Sequence, residues 1–362
     1  MKIVAALAGS MMLTACAQSQ SDAWLDFGAV SLDGAGQTPE LKVPWESGAR
    51  SLRLEVSSPA RRCFQVDALS DDDGQQYIGM SEPGLICLQC EQRSSVGIDG
   101  ATFQFPSRAG SFTPRGALRV RLGLRDCETL TRLTPPTTEV LHVRARVAAA
   151  APRVAKVALR LIVTPASVFA DEATDSRVAA LLEAVNAQLA PAQLTASFEV
   201  FRLPSGALSD ATFSRTDHQQ LSALRTQAPP SPGVSVVLAG CLLQSEPVLH
   251  TTTEVSGHTP HIPGGSGAAD GIYLQGALCG TPSSVPINWA STSLARVLAH
   301  ELGHYLGLYH SVEADGSTDQ LDDTDAQNVM YFRPSEVTAT GFSASQAELI
   351  RAHAWLVGPS SH

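Results

Sequence analysis

The chain has 362 residues, of which 44% are hydrophobic and 17% charged. That is a globular balance, and a length that favours two hydrophobic cores over one. Its formal net charge is -10, from 25 Lys and Arg against 35 Asp and Glu. With no Lys/Arg cluster to meet phosphates, the composition argues against a nucleic-acid partner.

Lys2 precedes an apolar run from Ile3 to Leu13 that is too short to span a bilayer as a helix but suits a signal-peptide core. The run ends in Leu13-Thr14-Ala15-Cys16, which resembles the lipobox of bacterial lipoproteins. The resemblance implies that residues 1–16 are a lipoprotein signal peptide and that Cys16 is acylated and becomes the mature N-terminus. It further implies a membrane partner through that lipid and residence in the cell envelope. Ala17 stands where an Asp would signal inner-membrane retention, which favours the outer membrane or cell surface. Two or three acyl chains anchor firmly, where one alone holds only marginally. A plain secretory signal with an incidental Cys16 is the alternative. Beyond Cys16 stand Cys63, Cys87, Cys90, Cys127, Cys241 and Cys279. An even number in an exported chain reads as disulfides. Cys87-Leu-Gln-Cys90 also has zinc-ribbon spacing, but Cys63 and Cys127 form no second pair of that kind.

Residues 17 to about 30 read as a tether. From about Leu41 to Val147, short runs alternate apolar and polar residues, as in Ser51–Val56, Ala117–Leu122 and His142–Val147. Breaks such as Asp72-Asp73-Gly74 and Pro83-Gly84 punctuate them, so residues 17–150 are expected to form a β-rich, sandwich-like domain. The Asp71–Asp73 run reads as a solvated turn. Ala148 to Pro152 reads as the joint to a second domain, 151–362. There Val157–Val163 reads as a strand and Ser176–Leu189 as a helix with Val178, Leu181, Leu182, Val185 and Leu189 on one face. Phe198–Phe201 and Val234–Leu238 read as further strands, giving an α+β or α/β arrangement. His250 to Gly271 reads as a long loop and Gly271–Gln275 as an edge strand.

Residues 300–310 read His-Glu-Leu-Gly-His-Tyr-Leu-Gly-Leu-Tyr-His. Residues four apart share a helix face, so His300 and His304 can aim at one ion. Glu301 is rotated by roughly a quarter turn, beside the metal rather than on it. Gly307 permits a positive φ that ends the helix, and His310 can return as a third ligand. Three protein ligands leave one position open, as in catalytic zinc sites. Ser291, Thr292 or Ser293 offers an N-cap, and Leu294, Val297, Leu298, Leu302, Tyr305 and Leu306 an apolar stripe.

This stretch matches H-E-x-x-H-x-x-G-x-x-H, the metzincin signature. Asn328-Val329-Met330-Tyr331 resembles the metzincin Met-turn, which implies that Met330 forms an apolar floor beneath the imidazoles. Leu321–Asp325 looks most like pappalysin-type enzymes, with matrixin-like ones next. Phe342–Gln346, leading towards Leu356, looks like the family's C-terminal helix. The likeness covers about residues 155–362. It implies an α+β catalytic domain of mixed twisted sheet and helices, a Zn2+ cofactor, and a protein or peptide substrate lying along an edge strand. Several metzincin families carry a tyrosine two residues after the methionine; here that place is Phe332, so Tyr331 is assigned no role.

The expected function is zinc-dependent endopeptidase action on extracytoplasmic proteins, with Glu301 deprotonating the attacking water. The alternative is a non-catalytic surface lipoprotein that binds through its N-terminal domain. His250, His258, His261 and Asp270 read as solvated loop residues, though matrixins hold structural zinc or calcium in such a loop. Asp315, Asp319, Asp322, Asp323 and Asp325 offer oxygen ligands suited to Ca2+ but lack EF-hand spacing, so an acidic surface loop is the alternative.

Overall fold

The computed structural model describes residues 24–58, 62–79, 90–98, 100–127, 129–134, 139–149, 155–171, 175–215, 217–246, 250–265, 267–280, 291–338, 341–353 and 356. The signal segment 1–16 with Cys16, as well as Cys87 and most of the proposed joint, lies outside them.

The first nine elements are all strands. They are β1 (Leu25–Ser31), β2 (Leu41–Val43), β3 (Ala49–Ser57), β4 (Cys63–Asp71), β5 (Gln76–Gly79), β6 (Gly97–Ile98), β7 (Ala101–Phe105), β8 (Leu118–Arg125) and β9 (Val140–Ala149). They form two sheets in the orders β1-β9-β3-β7 and β2-β8-β4-β5, with β6 also paired to β4. Inward residues of both sheets share one apolar cluster: Leu52, Leu54, Phe103 and Val143 come from the first, and Phe64, Val66, Val120 and Leu122 from the second. Period-two alternation is what lets each sheet offer one apolar face to that core. Asp71 does not form a solvated turn. It is buried and accepts from the Tyr77 hydroxyl at 3.2 Å and the Arg115 amide at 3.0 Å.

After residue 154 the period changes and helices enter. The elements are β10 (Ala155–Val163), α1 (Asp175–Leu189), β11 (Leu194–Arg202), β12 (Ala211–Phe213), α2 (Gln219–Thr226), β13 (Val234–Ala239), β14 (Leu242–Glu246), β15 (Thr251–Glu254), β16 (Gly257–His258), β17 (Ile272–Gln275), α3 (Ser291–Tyr305) and α4 (Ala344–Arg351). The described residues thus form a mixed α+β structure, rich in sheet with few helices.

The main sheet of this half has the order β11-β10-β13-β17-β16, parallel except for the final antiparallel pair. Parallel strands need cover on both faces. Leu159, Leu161, Val236 and Ile272 pack on α1, α3 and α4, whereas Ile162, Val237 and Tyr273 meet Phe213 and the α2 residues Leu221 and Leu224. α1 buries Val178, Leu181, Val185 and Leu189, the stripe expected from the sequence. α4 starts at a capping box in which Ser343 and Gln346 satisfy each other's backbone amides.

Two sequence expectations change here. The stretch from His250 to Gly271 is not one long loop, because β15 and β16 lie within it. Residues 272–275 are not the sheet edge either: β17 is buried along its length, between β13 and β16. Neither strand shows in the periodicity: β15 is four polar residues exposed along their length, and β16 is two residues begun by glycine.

Arg53 also departs from expectation. Alternation puts it on the polar face of β3, yet it is buried. Its guanidinium pairs with Glu55 at 2.9 Å and donates to the carbonyls of Gly264 and Gly265 at 3.5 and 3.3 Å. Nearby, the Ser95 hydroxyl donates to the carbonyl of Ile262. The two halves thus touch through charge and hydrogen bonds.

Disulfides join Cys63 to Cys127 and Cys241 to Cys279, and Cys90 is also disulfide-bonded. The first closes a separation of 64 residues. Chain-entropy reasoning assigns such a closure about 4 kcal/mol. Replacing Cys63 and Cys127 together by Ser is expected to cost about 3–4 kcal/mol in urea unfolding; a loss under about 1 kcal/mol would contradict that account.

Candidate metal centre

α3 carries His300, Glu301 and His304 in its last turn and a half. Leu294, Val297, Leu298 and Leu302 bury the helix's inner side. Its end is set by Gly307, at φ +95°. The Leu308 amide reaches back to the Gly303 carbonyl at 2.9 Å and the Gly307 amide to the His304 carbonyl at 2.9 Å, a Schellman closure. An L-residue at Gly307 would strain that turn. The chain leaves at an angle that brings His310 back to the helix.

Each of the three imidazoles has its Nδ1 against an acceptor. His300 meets the carbonyl of Val329 at 2.8 Å, and His304 that of Leu308 at 2.8 Å. His310 meets the carboxylate of Glu313 at 2.7 Å. Acceptors at Nδ1 match the Nδ1–H tautomer, the form in which Nε2 offers its lone pair to a metal. The Nε2 of His304 stands 3.1 Å from that of His300 and 3.0 Å from that of His310. Tetrahedral zinc with Zn–N bonds near 2.05 Å would hold such nitrogens about 3.3 Å apart. The donor set therefore fits zinc to within a few tenths of an ångström. Among the described residues it is the one group so arranged. Burial lowers the pKa of His300 to about 3 and that of His304 well below its ordinary value, so both stay neutral, as ligation requires.

Glu301 lies buried beside this group. Its Oε2 accepts from the Thr259 hydroxyl at 2.8 Å. Burial pushes its pKa up to about 8, with the Thr259 bond pulling the other way. A nearby dication would pull it down further. A cleft of about 560 Å³ opens over the group, lined by Val255, Gly257, Thr259, Val297, Phe332 and Pro334. Phe332 rather than Tyr331 faces it.

Met330 is fully buried, in a turn where its amide donates to Asn328 Oδ1 at 2.8 Å and its carbonyl accepts from the Ser311 amide at 2.9 Å. A Cβ added at Gly303 would sit 2.4 Å from Met330 Sδ and 3.1 Å from a Phe342 ring carbon. The glycine inside the histidine motif is thus needed for close packing.

The other candidates are not brought to the site as ligands. His250 is exposed. His261 is buried and His258 stacks on Phe213 with ring centroids 4.2 Å apart, contrary to the expectation of solvated histidines. β15 stays exposed, but the half-buried β16 pairs with β17 and carries the chain inward, so that Thr259 and His261 just after it are buried. Asp270 accepts from the Gly265 amide at 2.5 Å and the Tyr305 hydroxyl at 3.2 Å, bracing the back of α3. The acidic residues after His310 serve turns and caps. Asp319 accepts from Thr324 at 2.7 Å, Asp323 from Ser343 and Ser345 at 2.9 Å each, Asp325 from the Gln327 amide at 2.8 Å, and Asp315 from the Ser317 amide at 2.9 Å. Asp322 is exposed.

Sequence reasoning missed Thr259 and Glu313. Thr259 is remote in sequence and bears no motif. Glu313 stands three residues after His310 and was legible only as another acid in an acidic stretch.

Gly303→Ala sets two effects against each other. Helix propensity favours Ala by about 1 kcal/mol, while overpacking costs about 1–3 kcal/mol. Because the clash involves a buried thioether and a ring, net destabilisation is expected in thermal unfolding. A more stable variant would mean that Met330 has room to yield.

Residues 285–349 match the family described as pregnancy-associated plasma protein-A, peptidase M43. No curated protein matches the chain. Among solved structures, metalloproteinase-II from Bacteroides fragilis aligns over 59% of this chain at 14% identity with a TM-score of 0.34. The chain spans 63% of that protein, less than two thirds of its length. The matched segment contains the three histidines, Glu301 and Met330, so over this stretch the chain is similar to metzincin-like zinc metallopeptidases of the pappalysin type.

Proposed function

We propose that this protein is a zinc-dependent endopeptidase of extracytoplasmic proteins, with His300, His304 and His310 as metal ligands and Glu301 as general base. The observation that carries the reading is the convergence of three Nε2 lone pairs with a buried carboxylate on the next residue. Zinc held there supplies a Lewis acid that acidifies water and polarises a peptide carbonyl. Glu301 takes the proton from the attacking water and returns it to the departing amine. Thr259 keeps the carboxylate from swinging out of line. Burial raises Glu301's proton affinity, which suits a group that must accept and then release a proton.

The outer edge of β16 is the strand on which an extended substrate pairs, by β-augmentation, because its Gly257 lies against Val297 and Glu301. Among the charged residues lining the cleft, Arg333 forms an exposed pair with Glu336 at 3.3 Å, and Glu254 is engaged by Gln275 and the Cys279 amide. Met330 serves as the Met-turn floor, given its burial beneath Gly303.

Residues 17–150 form an accessory β-sandwich domain, and residues 151–362 the peptidase domain. Calcium has no part in this reading, since Asp315, Asp319, Asp323 and Asp325 serve turns and caps. Export and lipid anchoring at Cys16 rest on the N-terminal sequence, and the disulfides agree with an oxidising compartment.

Glu301→Gln is expected to retain zinc while kcat/KM on an unfolded protein substrate falls about 10²–10⁴-fold. Chelation should abolish wild-type activity and zinc restore it. Wild-type turnover by the variant would eliminate the general-base assignment. Separately, Cys16→Ser should abolish incorporation of radiolabelled fatty acid and release the protein from membranes; undiminished labelling would refute anchoring at this residue.

A further inference from the structure

The third imidazole is held differently from the other two. His300 and His304 lean on main-chain carbonyls, but His310 leans on a side-chain carboxylate, that of Glu313 at 2.7 Å. Both members of this pair are partly open, with His310 side-chain exposure at 25% and Glu313 at 36%. A carboxylate adds what a carbonyl lacks: a full negative charge that raises the basicity of the ligating nitrogen and balances the metal.

Glu313 is placed by a small hairpin. Val312 bridges Thr318, the Glu313 amide donates to the Ser317 carbonyl at 2.8 Å, and the Gly316 amide donates to the Glu313 carbonyl at 3.0 Å. From the N-terminal sheets, Arg93 reaches this hairpin. Its guanidinium donates to the Thr318 carbonyl and lies over the ring of Tyr309, 5.8 Å from the centroid. Ser95 hydrogen-bonds Tyr309, the neighbour of His310. Arg93, Ser95, Tyr309 and Glu313 border one cavity of about 600 Å³ between the two halves.

We propose that Glu313 is the positioning residue of the third zinc ligand, and that Arg93 holds the hairpin that carries it. The N-terminal sheets are then a working part of the metal centre. A chain of contacts runs from Arg93 to Thr318, across the hairpin to Val312, and through the adjoining Glu313 to His310. The inference rests on the zinc reading above, and its test separates the two.

Zinc dissociation constants would be measured by competition with a chromogenic chelator for wild type, Glu313→Gln, Glu313→Ala, Arg93→Ala and the Arg93→Ala/Glu313→Ala double variant. Loss of a partner of this kind weakens metal binding roughly 10–100-fold, the factor expected for Glu313→Ala. Glu313→Gln should lose less, because its amide oxygen still accepts from Nδ1–H without the charge. Arg93→Ala should lose a smaller factor, and the double variant no more than Glu313→Ala alone, since both act through one imidazole. Arg119→Ala, which removes an exposed arginine paired with Glu40 and Asp72, is the charge control and should bind as wild type does. Unfolding of the metal-free variants at the wild-type temperature would exclude a folding defect. Glu313→Ala binding zinc as tightly as wild type would overturn the proposal. Factors that multiply in the double variant would overturn the Arg93 link. A wild type that takes up no zinc would instead sink the zinc reading, and this one with it.

Discussion

Three imidazoles cannot aim their lone pairs at one point unless something holds each ring from behind. In this protein the holders are the carbonyls of Val329 and Leu308 and the carboxylate of Glu313. Each makes a demand on the fold. Leu308 can serve only if the helix ends at Gly307 in a tight reversal, which brings that carbonyl beneath His304. Val329 can serve only if the chain, nearly thirty residues past His300, returns under α3. The return is secured by the Ser311–Met330 backbone bond and by the contact of Met330 with Gly303. The residues from 300 to 332 thus behave as one piece of architecture, most of whose parts answer to the aim of three nitrogens.

The same burial that orients the ligands tunes the site. Neutral histidines are what a metal needs, and removal from water keeps His300 and His304 neutral far below the ordinary titration range. For a carboxylate, burial works in the opposite sense and favours the proton, hence the raised pKa of Glu301. One dry environment therefore gives ligands without protons and an acid with affinity for one. The sheet supplies that dryness. Its α3-facing side is packed with Leu159, Leu161, Val236 and Ile272, while β16 closes the rim beside Glu301.

The legibility of all this in the sequence follows the range of the interactions involved. The helix, its glycine stop and the three histidines obey local rules of period and backbone freedom, so His300, His304, Gly307 and His310 declare themselves. α1 and the strands β10, β11 and β13 were readable for the same reason: each is a long, strongly patterned run. β16 was not, since two residues beginning with Gly257 carry no period, and their pairing with β17 is a tertiary fact. Nor were the burial of His261 and the half-burial of His258 readable, because polar loop composition says water whereas the fold places aromatic rings beside them. Arg53 is the sharpest case. Its place in an alternating strand implied solvent, and only the approach of Gly264 and Gly265 explains why it is covered.

Arg53 also bears on how the two halves are related. A buried guanidinium is costly unless paired, and breaking such a pairing costs more than forming it gains. Here the pairing is completed across the boundary: Glu55 comes from its own strand, and the two glycine carbonyls from the segment leading into β17. Arg93 and Ser95 repeat the pattern at Thr318 and Ile262, again with N-terminal donors meeting acceptors of the other half. If the strands before residue 150 were withdrawn, water would have to replace each of these donors at carbonyls flanking the metal-binding loops. Gly264 and Gly265 precede Asp270, which braces Tyr305 of α3, and Thr318 closes the hairpin behind His310. Loosening either carbonyl cluster relaxes one support of the histidines. On this physical ground the N-terminal sheets are better understood as a fixed wall beside the histidine cluster than as a cover meant to be shed.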